Sequence, residues 1–146
     1  MTPAEVTETV MMNEERVVPK LIGEQQKDAW YLDTGVSNHM SGCKELFTDL
    51  DDGVKGTVRF DDGSLVDIQG RGKVIHQCKT GEHRVLTSVS YIPRLRSNII
   101  SIGQLDEVGA KTAVEHGYMV VSDQGKVVAK VKRSPNRLYI LQATRA

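Results

Sequence analysis

Among the acids of this 146-residue sequence, Asp33 stands apart: it closes the short apolar run Trp30-Tyr31-Leu32 and is followed by Thr34 and Gly35. A carboxyl carried to a loop by the end of a strand, beside a hydroxyl and a glycine, suits amide hydrolysis by a pair of carboxyls. Two such groups a few ångströms apart cannot both ionise, so they share a proton. The ionised member activates a water and the protonated one polarises the scissile carbonyl. Thr34 would offer its hydroxyl to the backbone of the facing loop, and Gly35 would turn the chain without crowding the attacked carbonyl. The tripeptide alone leaves the reading open, because Asp-Thr-Gly is also ordinary turn chemistry. No second acid-hydroxyl-glycine triplet exists: Asp52-Gly53 and Asp62-Gly63 lack the hydroxyl residue, and Asp123 is followed by Gln124. If Asp33 reacts, its partner acid must come from another copy of the chain across a twofold axis.

The elements that would position this loop read as strands. From Asp28 onward, short β-branched and aromatic runs alternate with Gly, Asp, Asn and Pro at a spacing typical of all-β sandwiches and barrels. Asp28 to Asp33 is the strand that delivers the acid. Gly56 to Phe60 and Ser64 to Gln69 alternate around Asp61-Asp62-Gly63 and read as a hairpin. Gly70 and Gly72 mark a bulge or a close backbone approach before Lys73 to Cys78. Arg84 to Ile92 is the longest strand, with Val85, Val89 and Tyr91 on one face and Leu86 and Ile92 on the other, and Pro93 stops it. Asn98 to Ile102 reads as a strand buried on both faces, running into Ile102, Leu105 and Val108 at helical spacing before Gly109. Lys111 to Glu115, Tyr118 to Ser122 and Lys126 to Lys132 follow, joined by turns at His116-Gly117 and Asp123-Gln124-Gly125, and Leu138 to Leu141 is the last strand. Residues 1–27, rich in Glu, Met and Gln without sustained periodicity, read as a linker or loosely docked arm.

Composition narrows the partners. Nineteen Lys plus Arg balance nineteen Asp plus Glu, so no global field draws in nucleic acid or a membrane surface. Arg94, Arg96 and the stretch from Lys126 to Arg137 are the local basic patches, and their alternation with apolar residues reads as a solvated sheet face. The longest apolar runs fall short of the ~20 residues of a membrane helix. Cys43 and Cys78 are too few for a disulfide framework and no leader opens the chain, which together lead to the expectation of a soluble protein in a reducing, intracellular setting. His39 with Cys43, and His76 with Cys78 and His83, lack the spacing of a zinc knuckle or finger, so no metal is expected, and no Gly-rich phosphate loop marks a nucleotide site. His39 reads instead as a structural hydrogen-bonding group near the loop.

Longer stretches carry a family likeness. Trp30-Tyr31-Leu32-Asp33-Thr34-Gly35-Val36-Ser37-Asn38-His39-Met40 resembles the protease motif of copia-type retrotransposon polyproteins, W-Y-L-D-[ST]-G-A-S-N-H-M, with one departure at Val36. Val58 to Ser64 resembles that family's V-x-F-G-D-G-S, and Ile68 to Gly72 its I-x-G-x-G. Tyr91-Ile92-Pro93 with Asn98 to Leu105 is similar to its Y-[VI]-P…N-L-L-S-[VI]-G-Q-L, and Leu138 to Leu141 matches the element where its pre-integrase region begins.

The resemblance implies an all-β, retropepsin-like closed β-barrel with one short helix over residues 28–142, with 143–146 as a tail. It implies an aspartic endopeptidase that processes a Gag-Pol polyprotein as a homodimer without a cofactor, in the cytoplasm or in a virus-like particle. Asp33 is then catalytic and Thr34, Gly35, Val36 and Ser37 support it. The hairpin is the flap candidate, with Phe60, Asp61, Asp62, Gly63 and Ser64 around its tip, and Asn98 to Gly103 packs beneath the loop. Two departures bear on activity. Val36 puts two extra methyls close to where substrate or the opposite chain should pass, and Asp61 puts a charge where the family has a flexible glycine. A catalytically inactive β-barrel interaction or spacer module therefore stands beside the enzyme reading, with a nucleic-acid-binding remnant third.

Overall fold

Turn chemistry decides where this chain reverses. The computed structural model describes residues 7–10, 21, 23–60, 62–77, 82–142 and 144–145. Both His116-Gly117 (φ 52° and 82°) and Gln124-Gly125 (φ 52° and 78°) place two consecutive residues in the left-handed region. That geometry matches the twist of paired strands, so each pair closes a tight hairpin. Among the described residues the strands are β1 (Thr7–Val10), β2 (Ala29–Asp33), β3 (Met40–Ser41), β4 (Gly56–Phe60), β5 (Leu65–Ile68), β6 (Gly70–Gln77), β7 (His83–Tyr91), β8 (Asn98–Ser101), β9 (Lys111–Glu115), β10 (Tyr118–Asp123), β11 (Lys126–Lys132), β12 (Ile140–Gln142) and β13 (Thr144–Arg145), with one α-helix, α1 (Ile102–Glu107). The α-helix is far too short to cross a membrane, and none among the described residues is long and apolar enough to do so.

These strands form three sheets, ordered β1-β4-β5, β11-β10-β9 and β12-β2-β8-β3-β7-β6-β13. The all-β expectation with one short helix holds. Closure does not follow from the hydrogen bonding: among the described residues each sheet keeps two open edges, the largest ending at β12 and β13. β8 lies inside the seven-stranded sheet, between β2 and β3, and all four of its residues are buried. Its apolar side chains feed two separate cores. Ile99 joins Val36, Met40, Val58, Phe60, Val66, Ile68, Ile92 and Leu95, whereas Ile100 joins Trp30, Leu32, Leu46, Val74, Leu86, Val89, Met119 and Val131. Ile99 and Ile100 fill the two faces of this buried strand, while Asn98 and Ser101 at its ends, both 0% exposed, are tolerated there because their polar atoms are hydrogen-bonded.

Three local features differ from the sequence reading or refine it. In β7, Ser88 has φ 55°, which breaks the two-residue alternation, so Leu86 and Val89 enter the same core while Val85 is left 49% exposed. β3 has too few residues to give a periodic signal. It is held between β7 and β8, and Gly42, just after it, lies so close to the segment before β8 that a Cβ there would be 1.7 Å from the Leu95 carbonyl oxygen. The expected bulge is present in β6, where the register with β7 shifts between Gly72 and Val74. There a Cβ on Gly72 would lie 2.9 Å from both the Asp49 carbonyl oxygen and the Leu50 Cα.

Most of residues 1–27, read from sequence as a linker, lies outside the described residues. Of the part described, β1 pairs in parallel with β4, from Thr7 opposite Thr57 to Val10 opposite Phe60. Leu21 packs against the first core, and the Gln26 N–H donates to the Arg96 carbonyl at 3.0 Å.

Candidate active site

β8 is also what organises the Asp33 loop. On one side β2 runs parallel to it, with Leu32 opposite Ile100 and Asp33 opposite Ser101. On the other side β3 runs antiparallel, with Met40 opposite Ile99. Residues 34–39 therefore cross from one flank of β8 to the other around its carboxyl end, and the acid sits where the crossing starts. Asp33 is 5% exposed, and its Oδ1 accepts the Gly35 N–H at 2.8 Å. Thr34 and Ser37 lie exposed on the same loop.

Ser101 pins the crossing. Its Oγ donates to the Val36 carbonyl at 2.9 Å, its N–H donates to His39 Nδ1 at 2.9 Å, and its Oγ accepts the Gln104 N–H at 3.0 Å, capping α1. Gln104 Oε1 accepts the His39 N–H at 2.8 Å, while its Nε2 donates to the carbonyls of Thr87 at 2.9 Å and Ser88 at 3.3 Å. One step further along β3, the Ser41 hydroxyl donates to Asn98 Oδ1 at 2.6 Å, and Asn98 Nδ2 donates to the carbonyls of Gln26 and Ala29. Burial pulls His39 down to about 4. The ring is therefore neutral near pH 7, and the accepting Nδ1 puts its proton on Nε2. The structural role read for His39 is correct.

Val36 requires a correction. It is 4% exposed and packs among Met40, Val58 and Phe60. Its two extra methyls fill a core instead of standing in the path of a substrate. Val36→Ala is accordingly expected to lower stability by about 2 kcal/mol, the cost of a buried branched side chain cut back to one methyl. Urea denaturation reads this directly, and an unchanged midpoint would show that the core can close over the gap.

The flap candidate is anchored on one face: Val58, Phe60, Val66 and Ile68 are each no more than 2% exposed and belong to the core that holds Val36. Asp61 lies outside the described residues. Asp62 and Gly63 are exposed and Ser64 is half-buried; the Ser64 N–H donates to Asp62 Oδ1 at 2.8 Å, and hydrogen bonds from the Ser64 hydroxyl and N–H hold the Asp62 carboxyl below the usual range. The hairpin thus meets the Asp33 loop through the core beneath Val36, with its tip in solvent.

Among the described residues, no three His, Cys, Asp or Glu side chains converge as a metal would require; Cys78 lies outside them. Ser101 and Gln104 carried no chemical role in the sequence reading, although Ser101-Ile102-Gly103-Gln104 has the S-x-x-Q form of a helix-capping box.

The family model described as Pol polyprotein, beta-barrel domain, matches residues 30–110, the segment that holds the Asp33 loop, both of its neighbouring strands and Gln104. The chain is also 30% identical over 121 residues, 83% of its length, to a retrovirus-related Pol polyprotein from transposon TNT 1-94 of Nicotiana tabacum, of which it spans 9%. No solved structure matches it. The chain belongs to the beta-barrel domain family of retrotransposon Pol polyproteins.

Proposed function

We propose that this domain is one half of a homodimeric aspartic endopeptidase, in which two Asp33 carboxyls meet across a twofold axis and hydrolyse an extended segment of the polyprotein. The observation that carries the reading is the placement of Asp33. It stands at the carboxyl end of a buried strand with Oδ1 tied to the Gly35 N–H at 2.8 Å, in a loop whose far end is fixed by Ser101 and Gln104. A reacting acid has to be held in position in this way, because catalytic geometry tolerates little displacement. Asp51 and Asp62 make the same bond to the N–H two residues on, at 2.9 Å to Gly53 and 2.8 Å to Ser64, but both are exposed turn acids; Asp33 differs in its burial and in the anchoring of the far end of its loop. The second acid therefore comes from a second chain.

In the dimer, the two chains complete a retropepsin-like arrangement. One carboxylate takes a proton from a water as it attacks the amide carbonyl, and the other carboxyl, protonated, hydrogen-bonds the carbonyl oxygen. The exposed Thr34 faces the partner's loop, and the exposed tip around Asp62 and Gly63 is the part of the anchored hairpin that closes on a peptide. The setting is the cytoplasm or the virus-like particle of the element, and no cofactor takes part. A second reading, an inactive spacer or interaction module, draws on one observation, the 5% exposure of Asp33 within a single chain. Sedimentation across a concentration series, with cleavage of a polyprotein junction peptide measured on the same samples, separates the two. Rate and dimer fraction should rise together; a dimer that cuts nothing leaves only the module.

A further inference from the structure

Gln104 has no assigned role, yet its carboxamide joins three segments. In a capping box the side chain three residues into the helix turns back to accept the N–H of the capping residue. Here that N–H, from Ser101, goes to His39 Nδ1 at 2.9 Å, and Gln104 Oε1 takes the His39 N–H at 2.8 Å instead. The reciprocal bond is rerouted through the last residue of the Asp33 loop. The opposite end of the carboxamide points to β7, where Nε2 reaches the carbonyls of Thr87 and Ser88. Ser88 holds φ 55°, a conformation that side chains other than glycine adopt seldom, and at that point β7 breaks its alternation. Backbone strain of this kind persists where surrounding contacts require it, and it concentrates at functional sites. Gln104 is 8% exposed, so replacing its donor end by an acceptor would leave two carbonyls facing a charge with no water to intervene.

We propose that Gln104 is a positioning residue for Asp33: its carboxamide clamps the catalytic loop at His39 to the kinked strand at Thr87 and Ser88. Ser101 completes the clamp by holding the Val36 carbonyl. This inference rests on the endopeptidase reading for its kinetic consequences and on the hydrogen bonds alone for its structural ones.

The test is Gln104→Glu in the whole chain, a nearly isosteric change that keeps the acceptor for His39 N–H and removes both donors. With a junction peptide as substrate, kcat should fall on the order of a hundredfold while KM stays within about threefold, because the loop is displaced and the peptide contacts are not. The rate relative to wild type should then recover as pH falls, because the protonated new carboxyl regains one donor. A folded Gln104→Glu variant with wild-type kcat, with its loss confined to KM, or with a loss indifferent to pH overturns the proposal. If Gln104→Glu does not fold, Gln104→Met, of similar volume, removes all three carboxamide bonds, and the same fall in kcat at nearly constant KM is expected, without recovery at low pH. If the wild-type chain cuts no peptide, the endopeptidase reading fails by itself. The clamp is then read from amide hydrogen exchange at Gly35 and His39, which should accelerate in either variant beyond what the change in global stability accounts for; exchange there that follows global stability alone overturns it.

Discussion

Asp33→Asn is expected to reduce cleavage of a junction peptide at least about a thousandfold while the chain remains folded. Asparagine has the same size, and its Oδ1 can still accept the Gly35 N–H now found at 2.8 Å, so the loop keeps its local bond. The amide cannot take a proton from water or hold the proton that two carboxyls share. The proposed dimer takes one acid from each chain, so mixing is more informative than the pure variant. An equal amount of Asp33→Asn chain added to a fixed amount of wild type, with subunits allowed to exchange, should cut the rate to about half, and a ninefold excess to about a tenth, as wild-type chains are drawn into dimers with one acid. A monomeric enzyme would show no such titration. Undiminished cleavage by the pure variant would remove Asp33 from the chemistry, and an inert excess of variant would remove the twofold site while leaving Asp33 in place.

What could be read in the sequence follows from the range of the interactions involved. Strands β4 to β6 and β9 to β11 were legible because their signals are local: two-residue alternation, and turn pairs such as His116-Gly117 whose backbone needs are written in the residues themselves. The burial of β8 on both faces was legible from the nearly continuous apolar run around Ile99 and Ile100. The direction of Val36 was not, because the residue lies in a loop with no periodicity, and only the packing of the 56–68 hairpin shows that it faces a core. The face pattern of β7 failed for a similar reason: one left-handed residue, Ser88, shifts every side chain beyond it, and serine gives no warning of that conformation. The partners of Gln104 lie 65, 17 and 16 residues away along the chain. No window of sequence contains them together, so a polar residue that ties the loop down looks from sequence like an ordinary residue in the first turn of a helix. For the same reason the open edges of the seven-stranded sheet were not foreseen, since strand order is set by long-range pairing.

The largest expected effect on stability comes from His39. Its Nδ1 accepts the Ser101 N–H at 2.9 Å, the residue is 2% exposed, and burial holds it at about 4 against 6.5 for a solvated imidazole. Between those two values the unfolded chain binds a proton that the folded chain refuses. Stability should therefore be complete above about pH 6.5, decline as pH falls from there towards 4, and lose nothing further to this group below that. The whole loss amounts to about 3 kcal/mol. His76, lowered first by burial and then by the Arg84 guanidinium, contributes in the same direction. Denaturant titrations at a series of pH values measure the sum, and His39→Asn isolates the larger part, because an asparagine oxygen can take the place of Nδ1 as an acceptor without titrating. The variant should flatten most of the slope between pH 6.5 and 4; a slope that survives intact would assign the lost stability to other groups. The consequence for catalysis has the opposite sense to the usual preference of a proton-sharing pair of acids for acidic solution. Protonating His39 removes the acceptor that fixes Ser101, and through it the Val36 carbonyl, so the loop should loosen as pH falls towards 4. The acid side of the rate profile should then move to lower pH in His39→Asn, a displacement that titration of Asp33 alone would not produce.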